Sequence, residues 1–94
     1  VHTDQGLVGL GEATISGLWS GETQAGTMAA IAEYIAPQLL GKDPRDIAAA
    51  RRAMDFIIKL NPFTKCAVEM ALWDIAGKAA NVPVYQLLGG KVRD

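Results

Sequence analysis

The chain has 94 residues, half of them apolar and a fifth charged, with 9 Lys+Arg against 10 Asp+Glu. That excludes a disordered chain, and a net charge of −1 leaves no basic excess to neutralise a run of phosphates, so no nucleic-acid partner is expected. The longest charge-free run, Ala79 to Gly90, is well short of the roughly 20 apolar residues a bilayer span needs, so no membrane partner is expected either, and the single cysteine excludes an internal disulfide.

Val1-His2-Thr3 reads as the end of a strand already under way. Asp4-Gln5-Gly6 supplies turn chemistry, and Leu7 to Ala13 reads as a second strand. A lone hairpin is marginal in water. The expectation is therefore a short antiparallel sheet, incomplete at the N-terminus, in a chain that is part of a longer polypeptide. Thr14 to Gly26 keeps no helical or strand period and reads as a loop, with Trp19 between Gly17 and Gly21.

A first helix is predicted over Thr27 to Leu40, with Met28, Ile31, Ala32, Ile35 and Leu39 on one face and a break at Pro37. A second helix starts at Asp43-Pro44, read as N-cap and first helical position, with a core stripe of Ile47, Ala50, Met54, Ile57 and Ile58. Arg51-Asp55-Lys59 forms an i, i+4 ladder on its flank. Asn61-Pro62 repeats the cap signal and opens a third helix to about Ala80, ended by a left-handed Asn81. Pro83 to Leu88 makes one short helix, stopped by Gly89-Gly90.

The third helix carries two apolar stripes at 100° per residue. Cys66, Met70, Trp73 and Gly77 make one, and Val68, Leu72, Ile75 and Ala79 make the other, roughly opposite. Lys65 with Glu69, and Asp74 with Lys78, separate them. Two stripes need two layers of cover. Strands followed by helices predict an α+β fold: the incomplete sheet, then a three- to four-helix bundle.

Few residues point to chemistry. Gly6, Gly9 and Gly11 fail as a dinucleotide fingerprint, because no helix follows them; Gly9 and Gly11 read better as places of close approach. Glu12 could be a catalytic acid, but the better reading is a carboxylate bonded to loop amides. Glu69 and Asp74 lie about 140° apart on the third helix, too far round for one metal, so pairing with Lys65 and Lys78 is preferred. Cys66 reads as a buried inert thiol, and His2 carries no signal. Trp19 stands apart: Ile15, Leu18 and Trp19 give one loop three sizeable apolar side chains, which plug a local gap or touch a ligand.

Three segments carry a family resemblance. Gly9-Leu10-Gly11-Glu12-Ala13 resembles the third strand of the N-terminal capping domain of the enolase superfamily. Ala67 to Lys78, with its small Gly77, is similar to that domain's long last helix. Pro83 to Gly90, followed by Val92-Arg93-Asp94, is similar to the junction into the barrel. Within the superfamily the chain resembles the mandelate racemase and muconate-lactonising branch, and the loop Thr14 to Glu22 is similar to that of muconate cycloisomerases.

The single cysteine fits a reducing, cytoplasmic setting. The resemblance implies a homo-oligomer in which a capping domain closes over its own C-terminal (β/α) barrel and shapes specificity for a small carboxylate substrate. The implied reaction is a cycloisomerisation, racemisation or dehydration that begins with proton abstraction alpha to a carboxylate. The barrel would supply the acid/base residues and three carboxylates on Mg²⁺. It would follow Asp94, so no catalytic or metal residue is carried onto this chain and no Mg²⁺ is expected on it. The residues implied for substrate specificity are Ile15, Ser16, Gly17, Leu18, Trp19 and Ser20. The competing reading is a free-standing helical protein-interaction module without catalytic activity.

Overall fold

The N-terminal residues do not pair into a sheet. In the computed structural model, which describes residues 1–94, the hairpin is reduced to one isolated antiparallel bridge between His2 and Val8. Beside it Thr3 N donates to Leu7 O at 3.0 Å and Gly9 N to Val1 O at 2.8 Å. On the edge turned away from Val1–Thr3, Val8 and Leu10 bond to a helix instead of a strand. Leu10 N donates to the Asp74 carboxylate at 3.0 Å, and Lys78 Nζ donates to Val8 O at 2.7 Å. Backbone groups that a neighbouring strand would have satisfied are met by these two side chains. The α+β expectation is thus corrected: the elements are helical, and residues 1–11 form a strap laid across a helix.

The helical segments are α1 (Gln24–Ala29), π1 (Ala30–Ile35), α2 (Ala36–Leu39), α3 (Ile47–Ile57), α4 (Pro62–Ala80) and α5 (Val84–Leu87). α1, π1 and α2 run on without interruption as the first rod. It starts earlier than predicted, because the Thr23 hydroxyl caps it by accepting from Gly26 N at 3.0 Å. Pro37 does not break the rod. It sits in the first turn of α2, just after the π stretch, where the ladder changes register and a missing N–H is tolerated. The wider π turn also shifts the predicted face. Ile35 is buried and Ile31 and Leu39 are half-buried, but Met28 and Ala32 are exposed.

α3 buries Ala50 and Met54 and half-buries Ile47 and Ile57, and Ile58, extended just past its end, is half-buried too, the stripe read from the sequence. Its cap is Asp46, accepting from Ala49 N at 3.3 Å, and not Asp43. The Asp43 carboxylate is taken by Arg45, both backbone N–H and guanidinium, so a turn wins over the cap. Nor does Asp55 pair along its own helix; it crosses to Lys65 of α4 at 3.0 Å. Ile35, Met54 and Val68 form the core cluster, with Ile31, Leu39 and Ile58 packed against it.

α4 has the predicted bounds, with Pro62 at its start and Asn81 left-handed at φ 56° at its end. Asn61 does not cap it: its side chain donates to Lys59 O at 2.9 Å, and its own φ is 53°. Of the two predicted stripes, Val68, Leu72 and Ile75 are buried, whereas Ala79 is exposed. In the other, Gly77 is buried and Trp73 half-buried, but Cys66 and Met70 are exposed, so the buried thiol is corrected to an exposed one. The strap covers a third direction, Ala67 and Ala71. A Cβ on Gly9 would overlap the Ala71 carbonyl and lie 2.7 Å from Ile75 Cγ1; one on Gly11 would overlap the Ala67 carbonyl. The close approach read for these glycines is therefore to helix backbone. At the other end, Gly77 leaves room for Val82 O, which would lie 2.9 Å from a Cβ there.

Two substitutions check this packing. Gly9→Ala should force the strap off α4 and cost about 1–3 kcal/mol in a denaturant melt; an unchanged midpoint would mean the strap is not seated as described. Leu60 is left-handed at φ 57° and 83% exposed. Leu60→Gly relieves roughly 1–2 kcal/mol of backbone strain and adds about 0.5–1 kcal/mol of chain entropy to the unfolded state. Stability should stay level or rise by up to about 1.5 kcal/mol, and a clear loss in the same melt would reveal contacts of the leucine side chain.

Candidate functional site

The loop between strap and first rod is a turn organised by the Ser16 carbonyl. It accepts from Trp19 N at 3.2 Å, Ser20 N at 2.8 Å and the Ser20 hydroxyl at 3.0 Å. Gly21 is left-handed at φ 78°, which lets the chain reverse out of the turn. Leu18 and Trp19 stand at the tip, 102% and 85% exposed, while Ile15 is half-buried at the base. Thus the structure brings Ile15, Ser16, Gly17, Leu18, Trp19 and Ser20 into one turn whose largest apolar side chains touch no core. From Ala13 to Gly21 there is no charged residue.

The loop ends in a residue that sequence reading did not single out. Glu22 is 7% exposed. Its Oε1 accepts from Phe63 N at 2.9 Å, and its Oε2 from Thr64 N at 3.0 Å and the Thr64 hydroxyl at 2.6 Å. Those amides belong to the first turn of α4, where no intrahelical acceptor exists and the helix dipole favours an anion. Thr64 is fully buried, and its oxygen lies 3.0 Å from the Thr27 hydroxyl of α1. The one Thr64 hydroxyl hydrogen goes to the carboxylate, so Thr27 donates to Thr64.

Burial by itself would raise the Glu22 carboxyl, but the Thr64 hydroxyl and the Phe63 and Thr64 amides outweigh it and hold it below its ordinary value. A carboxyl lowered by folding stabilises the fold above its unfolded-state value, and that contribution is lost as pH falls through the folded value. Glu22→Gln should therefore flatten the acid limb of a Tm-against-pH curve and cost about 1.5–3 kcal/mol at neutral pH. An acid limb identical to wild type would show that the carboxylate is not linked to folding.

The other residues considered from sequence divide as follows. Asp74 pairs with Lys78 at 2.9 Å as read, and the Lys78 ammonium and the Leu10 amide hold its carboxyl below the usual range. Glu69 does not pair with Lys65; it accepts from Trp73 Nε1 at 3.4 Å. Glu12 is exposed, and His2 serves only the bridge. No three His, Cys, Asp or Glu side chains converge. No helix is long and apolar enough to cross a membrane.

Fold and site together define a helical domain that holds out an uncharged apolar turn pinned to a helix N-terminus. Comparison with known proteins places it further. Residues 1–89 match the model of the mandelate racemase / muconate lactonizing enzyme N-terminal domain, and the chain belongs to that family. It is 44% identical to muconate cycloisomerase 1 of Pseudomonas putida, matching over all of this chain and 26% of that protein. It is 40% identical to the D-mannonate dehydratase of Novosphingobium aromaticivorans, over all of this chain and 23% of that one. Among solved structures, 2-chloromuconate cycloisomerase from Rhodococcus opacus 1CP superposes with a TM-score of 0.93 at 36% identity, covering 99% of this chain and 26% of that one. The chain spans about a quarter of the length of the relatives it matches. It is thus the N-terminal domain of a family whose relatives are cycloisomerases, racemases and dehydratases of the enolase superfamily.

Proposed function

We propose that this domain caps the active site of a Mg²⁺-dependent enzyme that abstracts a proton alpha to a carboxylate, and that the turn Ile15 to Ser20 contacts the substrate. The observation that carries the reading is the exposure of Leu18 and Trp19 on a hydrogen-bonded turn. A soluble domain gains nothing from holding a tryptophan clear of its core, whereas a substrate closing against it buries apolar area at roughly 25 cal/mol per Å². The turn has no cation to bind a carboxylate, so it meets the uncharged part of the substrate. In this reading the carboxylate, the proton transfer and the metal fall to the rest of a longer enzyme, since the chain spans about a quarter of the length of its relatives.

Trp19→Ala in the full-length enzyme tests this. Discrimination between two competing substrates, measured as the ratio of kcat/KM, should change. Tm should barely move, since a core tryptophan would cost about 3–5 kcal/mol and this one is exposed. A large stability loss with unchanged discrimination would return Trp19 to a packing role.

A further inference from the structure

We propose that Glu22 is a positioning residue for substrate discrimination: its buried carboxylate sets where the turn Ile15 to Ser20 stands, through the N-terminus of α4. The inference rests on the reading that the turn meets substrate. Leu18 and Trp19 have no core contact to place them, so their location depends on the two ends of the loop. Both ends are seated on α4. Upstream, Gly11 lies against the Ala67 carbonyl. Downstream, Glu22 takes the Phe63 and Thr64 amides and the Thr64 hydroxyl, and Thr27 reaches the same hydroxyl from α1. Glu22 is also wired into the turn itself. Its N–H donates to the Ser20 hydroxyl at 3.3 Å, and that hydroxyl donates to the Ser16 carbonyl that organises the tip. A short hydrogen-bonded path therefore runs from the helix terminus to the backbone of Trp19. The carboxylate is an apt anchor because it offers only acceptors, and two amides and a hydroxyl hydrogen are turned toward it.

Three variants in the full-length enzyme separate positioning from mere capping. Glu22→Gln keeps the shape but turns an –NH₂ against amide or hydroxyl donors. Thr64→Val removes the hydroxyl and keeps the backbone N–H, while Thr64→Ser keeps both. The measurements are kcat and KM for two competing substrates, Tm, and hydrogen exchange of the segment 14–21. Glu22→Gln and Thr64→Val should each lower the discrimination ratio about tenfold, mostly through KM, with faster exchange in the loop. Thr64→Ser should behave as wild type. If Glu22→Gln and Thr64→Val lower Tm but leave discrimination and loop exchange unchanged, Glu22 is a helix cap only and the proposal is wrong. If Glu22→Gln does not fold, Thr64→Val decides on the same readouts, because it leaves both amide bonds to the carboxylate. Trp19→Ala run alongside assigns a failure. Discrimination altered by Trp19→Ala alone overturns the positioning role and spares the substrate-contact reading; discrimination untouched by all of them overturns both.

Discussion

Helix α4 begins with a proline and two amides that its own first turn cannot satisfy, and a carboxylate from far upstream in the chain satisfies them. The rest of the domain is arranged around the helix so secured. The core cluster reaches it through Val68, the strap lies along Ala67 and Ala71, and the chain after Asn81 turns back over Gly77. A buried charge is usually a liability, because desolvation favours the neutral form. Here three donors meet the carboxylate: two are backbone amides aligned by the helix, and the third is a hydroxyl whose own oxygen is held by Thr27. No long side chain has to be ordered to meet the anion.

The cover on α4 is wide on one side and reaches the other only at Gly77, under Val82 and Val84. Ala67, Ala71, Thr64, Ile75, Val68 and Leu72 span about 140° of its circumference, and all are buried. Across the helix, Cys66, Met70 and Trp73 remain open or half-open. The strap explains the difference from the expected pair of opposed stripes. It uses alanines, which no hydrophobic count distinguishes from the rest of an alanine-rich helix, and its glycines let backbone meet backbone.

Elements whose signals are local could be read from the chain. The α3 stripe, the bounds of α4, the left-handed Asn81 and the tight approach at Gly9 and Gly11 follow from periodicity and from what glycine permits. Errors arose where a residue had two uses. Asp43 could cap or turn, and Arg45 decided for the turn. The register of the first rod could not be read, because a 3.6-residue period does not announce a π turn. The expected sheet comes down to the one His2–Val8 bridge, and on the opposite edge Asp74 and Lys78, correctly paired with each other, take the backbone of Leu10 and Val8. At the candidate site the apolar turn was legible in composition. Glu22 was not, because its partners lie 41 and 42 residues away and nothing nearby marks an acid as buried.

The separation between tip and anchor has a consequence for how such a domain can diverge. Leu18 and Trp19 share no surface with Ile35, Met54 or Val68, so exchanging them perturbs none of the contacts that keep the chain folded. Natural domains sit only a little above the stability they require, and most changes in a core push them below it. A tip that is thermodynamically idle escapes that filter. Its sequence can drift through many side chains while Glu22, Thr64 and the glycine strap stay as they are, so one scaffold can present different chemical surfaces without being rebuilt.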